Sequence, residues 1–364
     1  MKDARFGVRR RKLSRLLKQD GLNALLVTDP LNVFYLTGFT GGDSWFFHSK
    51  EHSVLISDPR YALQIAEEAP GVEVLIRRSG VTLVSAAQDL LNSSVNVGIE
   101  ADSTSTADFL SLSAHCRGEL RPVSQLVESL REIKDSWEVA AIREAVRIAS
   151  VGFDVLRLTL NPDMTEAEAR NELEYQMRRV GADEPAFPTI AAVGARSALP
   201  HAVPTEKNRI ADGGLFLVDW GAKKNMYLSD LTRVLITAKH PTSLMKKVYN
   251  LVLQAQRAAL DLLRPGITGA EADCAARAVI ERGGYAGAFN HGLGHGIGTF
   301  VHERGGLSRG ARQVLKPGMV VTVEPGIYLP GRFGVRIEDD VLITPDGIEV
   351  LSEGLRKEFD EMFV

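Results

Sequence analysis

Leu215 to Thr237 reads LFLVDWGAKKNMYLSDLTRVLIT. Two apolar runs flank a polar centre, Lys223-Lys224-Asn225, which is the pattern of two strands joined by a tight turn. A turn centred between Lys224 and Asn225 sets Asp219 directly opposite Asp230, where facing Cα atoms on an antiparallel ladder are about 4.5–5.5 Å apart. Two carboxylates so placed repel and lose hydration, which is costly without a compensating cation. A solvated hairpin face would relieve that cost, but Asp219 sits inside the apolar run Leu215 to Trp220. The stretch therefore points to a metal site.

A second stretch has the same form. Val320 to Glu324 reads as a strand, Gly334 to Glu338 begins another, and Pro330-Gly331-Arg332 supplies the turn. Glu324 and Glu338 are equidistant from Gly331, so they too should face each other. Two such hairpins imply four carboxylates lining one pocket.

The rest of the sequence sets the frame for that pocket. With 364 residues, 45% of them hydrophobic, and a net charge of −3, the chain is long enough for two domains with ordinary cores. Near-zero charge offers no footprint for nucleic acid or an anionic membrane surface. The basic run Arg9-Arg10-Arg11-Lys12 reads as the polar face of a helix over residues 4–20, with Leu13, Leu16 and Leu17 on its other face. No apolar run reaches the ~18 residues of a membrane span, and the N-terminus lacks the apolar core of a signal peptide. Cys116 and Cys274 form neither a disulfide framework nor a zinc spacing, so a reducing cytoplasm is the expected location.

Along residues 1–130, short strands (Ala24–Thr28, Ser53–Ile56, Val72–Ile76, Val95–Ile99) alternate with helical stretches, an α/β pattern without a catalytic cluster. Between the first two strands lies the run Asn32 to Phe39. Leu130 to Leu158 has helical spacing and opens a second domain, 131–364; Pro162 ends that stretch. Within the second domain Thr165, Ala167, Glu168, Ala169, Arg179 and Gly181 recur as Thr268, Ala270, Glu271, Ala272, Arg282 and Gly284, a constant spacing of 103. The hairpins repeat too: Asp219 and Gly221 correspond to Glu324 and Gly326, and VLIT occurs at Val234–Thr237 and Val341–Thr344. The domain thus reads as two related helix-plus-hairpin halves that build one pocket between them.

Phe289 to Phe300, FNHGLGHGIGTF, alternates glycine with His291, Leu293, His295 and Ile297. Period two fits an extended strand with one face of bare backbone and the other presenting two imidazoles. His302 follows nearby, and His201 sits in Leu199-Pro200-His201. Four carboxylates with one or more histidines suit a pair of divalent ions, whether manganese, cobalt, iron or zinc. Such a pair generates hydroxide near neutral pH and polarises a carbonyl, which predicts hydrolysis, most naturally of an amide.

The motifs VDWGAKKNMYLSDLTR, HGLGHGIGTFVHE, TVEPGIY and GVRIEDD, with LNVFYLTGFTGG, DPRY and IKDSWEVAAIREA ahead of them, resemble the creatinase, aminopeptidase P and prolidase family over nearly the whole chain. The resemblance implies a creatinase-like α/β N-terminal domain followed by an α+β "pita-bread" catalytic domain with an internal pseudo-twofold. It implies Asp219, Asp230, His295, Glu324 and Glu338 as ligands of two metal ions, manganese foremost, with Asp230 and Glu338 bridging and Glu324 also the general base. His201 and His302 match positions that stabilise the tetrahedral intermediate and hold substrate, His291 one linked to substrate binding or proton movement, and Arg336 one that orients substrate and carboxylates. Where the family commonly has His-Glu-x-Pro, this chain has His302-Glu303-Arg304-Gly305.

The activity implied is cleavage of the Xaa-Pro bond at the N-terminus of peptides, either as an aminopeptidase on longer chains or as a prolidase restricted to dipeptides. The expected partners are small peptides with proline at the second position and a second copy of the chain in a homodimer, with no nucleic acid and no membrane. A pita-bread domain serving only as a binding module is the reading from another class, but such modules typically lose the metal ligands that this chain keeps.

Overall fold

The computed structural model describes residues 2–364, with side chains from residue 4 onward. The chain forms two compact units that divide between Arg131 and Glu132. In the first, a mixed six-stranded sheet runs Glu73–Ile76, Ser53–Ser57, Trp45–Ser49, Ala24–Val27, Asn96–Glu100, Glu119–Val123. Strand residues alternate between its faces. Leu25, Val27, Phe46 and Leu55 pack with Leu13, Leu17 and Ile65 on one side, while Leu26, Phe47, Ile56 and Ile99 pack with Leu91 and Leu112 on the other. The run at Asn32–Phe39 is mostly helix, Pro30–Thr37. Asp29 accepts the amides of Leu31 and Asn32, Pro30 stands at the first turn, and Gly38 ends the helix at φ 87°.

The second unit opens with helix α1, Ser136–Thr159. It begins later than its apolar spacing suggests because Asp135 caps it, in a capping box with Glu138. Helix α2 (Glu166–Val180) and helix α4 (Gly269–Arg282) start on the same device, Thr165 with Glu168 and Thr268 with Glu271. Each capping threonine also makes an isolated β-bridge, Thr165 to Arg209 and Thr268 to Val314. The helical repeat is therefore structural as well as textual. Helix α1 packs on α2, and α3 (Ser243–Leu262) packs on α4.

Each half supplies a hairpin. Strand β1 (Leu215–Trp220) pairs with β2 (Leu231–Ile236), and β3 (Val320–Val323) pairs with β4 (Asp339–Thr344). The second register is the expected one: Val323 faces Asp339 and Gly326 faces Arg336, which puts Glu324 and Glu338 across from each other where the ladder breaks between these two pairings. The first register differs from expectation. Asp219 faces Thr232, not Asp230. The turn is centred one residue later, on Asn225 and Met226, both in the left-handed region at φ 51° and 71°. Asp230 is then the diagonal neighbour of Asp219 on the same face of the ladder. The two hairpins meet at a bridge between Thr232 and Glu338.

The glycine-rich stretch is less regular than its period suggests. Only Gly294–Gly296 is strand, bulged against Glu303–Leu307 and paired to β3 through Val321. Its bare face does admit close backbone: a Cβ at Gly294 would stand 1.9 Å from the carbonyl oxygen of Thr322. Leu217, Trp220, Val234, Val321, Val323 and Val341 fill the core behind these strands.

Candidate active site

A cleft of about 1060 Å³ opens within the second unit. Asp219, Asp230, His201, His291, His295, His302, Glu324, Arg336 and Glu338 all line it, so every site residue expected from the sequence reaches one space. The hairpins place Asp219 at the end of β1, Asp230 just before β2, Glu324 just after β3 and Glu338 just before β4.

Among the described residues, Asp230, His295 and Glu338 form a group able to hold a metal ion, with one ligand-capable atom from each lying within 4.8 Å of the others. His295 Nε2 is 3.6 Å from Asp230 Oδ2 and 3.5 Å from Glu324 Oε1. Its Nδ1 faces the carbonyl oxygen of Gly296 at 3.2 Å and donates to it in the neutral ring, which leaves the Nε2 lone pair turned to carboxylate oxygens. Burial, then the neighbouring His302, pushes His295 down to about 4, so the ring is neutral near physiological pH. Burial, then the charges of Glu338 and Asp219, holds Asp230 well above the ordinary carboxylate range. Burial, then Glu324 and Asp219, does the same to Glu338. Burial raises Asp219 despite Arg336 beside it, and raises Glu324 to about 8.

Asp219 Oδ1 is buried without a hydrogen-bond partner. A lone pair facing carboxylates, an orphaned carboxylate oxygen and acids that would otherwise have to hold protons together make a donor set suited to divalent cations.

Residues beyond the expected set hold this arrangement. Arg336 donates to Asp219 Oδ2 at 2.6 Å, to Thr232 Oγ1 at 3.0 Å and to Tyr328 Oη at 2.8 Å. Thr232 Oγ1 in turn donates to Glu338 Oε2 at 2.6 Å. His291 Nε2 meets the Tyr328 hydroxyl at 2.8 Å, and its Nδ1 lies 3.9 Å from Glu324. Thr322 Oγ1 accepts the His295 amide, and Asp340 accepts the Asp230 amide. Behind Glu338, Arg233 pairs with Asp339 at 2.6 Å, both fully buried, and Lys357 reaches the same carboxylate. The sequence signal for Thr232 and Arg233 was their place in the hairpin. For Tyr328 it was the motif TVEPGIY, which alone assigns the hydroxyl no task.

A model of metallopeptidase family M24 matches residues 140–345. The chain belongs to that family. The creatinase/prolidase N-terminal domain matches residues 9–133 ahead of the M24 region. A Bacillus subtilis protein named uncharacterized peptidase YqhT is 40% identical over 92% of this chain and 95% of its own. Among solved structures, the Xaa-Pro dipeptidase from Bacillus anthracis superposes with a TM-score of 0.93 at 36% identity, covering 99% of this chain and 100% of that one. The X-Pro aminopeptidase from Thermotoga maritima gives a TM-score of 0.88 at 33% identity, over 96% of this chain and 100% of that one. The architecture is that of the M24 enzymes: a creatinase-like N-terminal domain and a pita-bread catalytic domain. Among the described residues, no helix of this M24 chain is long and apolar enough to cross a membrane.

Proposed function

We propose that this metallopeptidase hydrolyses the Xaa-Pro bond at the N-terminus of peptides, using two divalent ions held by Asp219, Asp230, His295, Glu324 and Glu338. The observation that carries the reading is the crowding of Asp230, His295 and Glu338, with Asp219 and Glu324 beside them in one cleft. Manganese is the first ion to supply, then cobalt, zinc or iron. When bound, the cations supply Lewis acidity toward the scissile carbonyl and acidify water enough for attack near neutral pH.

Glu324 takes a proton from the attacking water and returns it to the proline nitrogen as the bond breaks. His201 and His302 donate to the carbonyl oxygen as negative charge builds there. Arg336 keeps Asp219 aimed inward, and His291 holds Tyr328 against Arg336. Proline is selected because a tertiary amide has no N–H and carries a rigid ring, a shape that ordinary peptide bonds cannot match.

Two substrate ranges remain in play, longer peptides or dipeptides alone. Relatives carry names of both kinds, and of the two structures described above the dipeptidase is the more similar. Hydrolysis of a Xaa-Pro dipeptide and a Xaa-Pro-Xaa tripeptide should be compared with manganese or cobalt supplied and with chelator as control. Cleavage of the tripeptide makes the protein an aminopeptidase, and cleavage of the dipeptide alone makes it a prolidase. Activity that survives the chelator would remove the metal mechanism. The dimer implied by the family is tested by mass in solution.

A further inference from the structure

The segment Thr299 to His302 carries Phe300 and His302 into the cleft, and one carboxylate lies behind it. Glu303 Oε1 accepts the Thr299 amide at 2.9 Å, the Thr299 hydroxyl at 3.2 Å and the Phe300 amide at 3.3 Å. Glu303 Oε2 meets Lys134 Nζ at 3.1 Å, and the two side chains are 5% and 1% exposed. Lys134 is itself fixed, because its amide donates to the Gly318 carbonyl at 2.8 Å. The carboxylate fits under the segment only because residue 298 is glycine: a Cβ there would lie 2.6 Å from Glu303 Oε2. The His302 ring stands edge-on to His295, with centroids 4.4 Å apart.

We propose that the buried Lys134–Glu303 ion pair is the positioning device that holds Thr299 to His302, and through it His302, in the cleft. The part concerning catalysis rests on the reading of His302 as a substrate-binding residue given above. A carboxylate that gathers three donors from two adjacent residues fixes that turn of chain. Buried, it keeps its charge, and so its full accepting capacity, only with a counter-charge at hand. Without Lys134 the Oε2 end of Glu303 loses a charged donor, and a carboxylate held less firmly there releases donors of the segment at its Oε1 end. Lys134 precedes helix α1 and does not line the cleft; besides Glu303, its Nζ meets only the Glu132 carbonyl, at 3.5 Å, among the described residues, so its side chain reaches the cleft by way of this segment.

The test uses the full chain and two readouts. In the metal-free protein, hydrogen exchange of residues 299–303 in Lys134→Met should quicken by about tenfold or more, the loss of roughly one charge-assisted hydrogen bond, with residues 215–236 unchanged. With manganese and a Xaa-Pro substrate, kcat/KM should fall by about tenfold. The same substitution in a His302→Asn background should cost less than about twofold, since residues acting through one another are not additive. Unaltered exchange at 299–303, or an undiminished cost in the His302→Asn background, would overturn the proposal. If Lys134→Met does not fold, the double variant Lys134→Met/Glu303→Gln removes both charges of the pair together and carries the same two measurements. Parent-like kcat/KM in His302→Asn alone would sink the reading of His302, and the exchange result would then judge the clamp by itself.

Discussion

Thr232 serves two charged neighbours with one hydroxyl, donating to Glu338 and accepting from Arg336, and it is fully buried. Thr232→Val keeps the shape and strands both partners. Stability should fall by about 1–3 kcal/mol, the cost of unsatisfied buried polar groups. Affinity for manganese should fall by about 10–100-fold, as when a group that orients a ligand is lost. Thr232→Ser should stay near the parent in both. Denaturant unfolding and calorimetric titration measure the two effects, and a parent-like Thr232→Val would remove this hydroxyl from the account. Glu324→Gln separates ligand from base: kcat should drop by about 10²–10⁴-fold even when metal content, read by atomic emission, stays near that of the parent. Near-normal turnover in a metal-loaded Glu324→Gln protein would refute the assignment of the base. The four carboxylates and four histidines of the cleft are legible as candidates because their residue types and spacings state a chemistry, whereas Arg336 comes only with the family resemblance. Thr232, Tyr328 and Asp340 are not legible, because a hydroxyl or a carboxyl next to a ligand says nothing until the fold shows which atom it faces.

Among elements, the two hairpins divide what a sequence can tell from what it cannot. Gly331 adopts φ 72° in a Pro-Gly-Arg turn, so the residue type marks the turn and the register follows. In the other hairpin the left-handed positions fall to Asn225 and Met226, and methionine gives no such signal. The sequence pattern therefore sets the turn one residue early and the partner of Asp219 two residues off. Met226→Gly should relieve that backbone and raise stability by up to about 1 kcal/mol, less the extra entropy glycine gives the unfolded chain; thermal unfolding checks it.

The strand Trp45–Ser49 and its neighbours predict a pH effect. Burial, then Arg10, pushes His48 from 6.5 down to about 4, and burial pushes Glu100 from 4.5 up to about 7. Between those limits the unfolded chain binds a proton at residue 48 that the folded one refuses, so this contribution to stability is lost as pH falls from 6.5 toward 4. Glu100 acts oppositely, keeping in the folded state a proton the unfolded chain has released, so its contribution is lost as pH rises from 4.5 to 7. Replacing His48 with Gln removes only the first slope. Relative to the parent, His48→Gln should gain roughly 2 kcal/mol in stability on going from pH 7.5 to pH 5. A pH-independent difference in calorimetry would contradict the buried neutral ring.

At the scale of the molecule, the helical repeat at a spacing of 103 was legible because capping threonine and glutamate recur in text and in structure alike. What was not legible is how the halves join. The bridge between Thr232 and Glu338 and the pairing of Arg233 with Asp339 link residues 106 apart in the chain, and no local pattern encodes such a contact. That junction gathers Asp219, Asp230, Glu324 and Glu338 into one buried place, so the fold bears a repulsion that cations would relieve. Cations that bind the folded chain and not the unfolded one must then stabilise it. At about 100 times the dissociation constant, each ion adds about 2.7 kcal/mol. For a unit of this size two ions should raise the melting temperature by roughly 10–20 °C, and a chelator should reverse the rise. In Asp230→Asn, which weakens the shared cluster, the rise should shrink to less than about half, because one acid that serves both ions has gone. A parent protein whose melting temperature ignores manganese, cobalt and chelator alike would mean that the acids share protons instead, and the two-ion site would have to be abandoned.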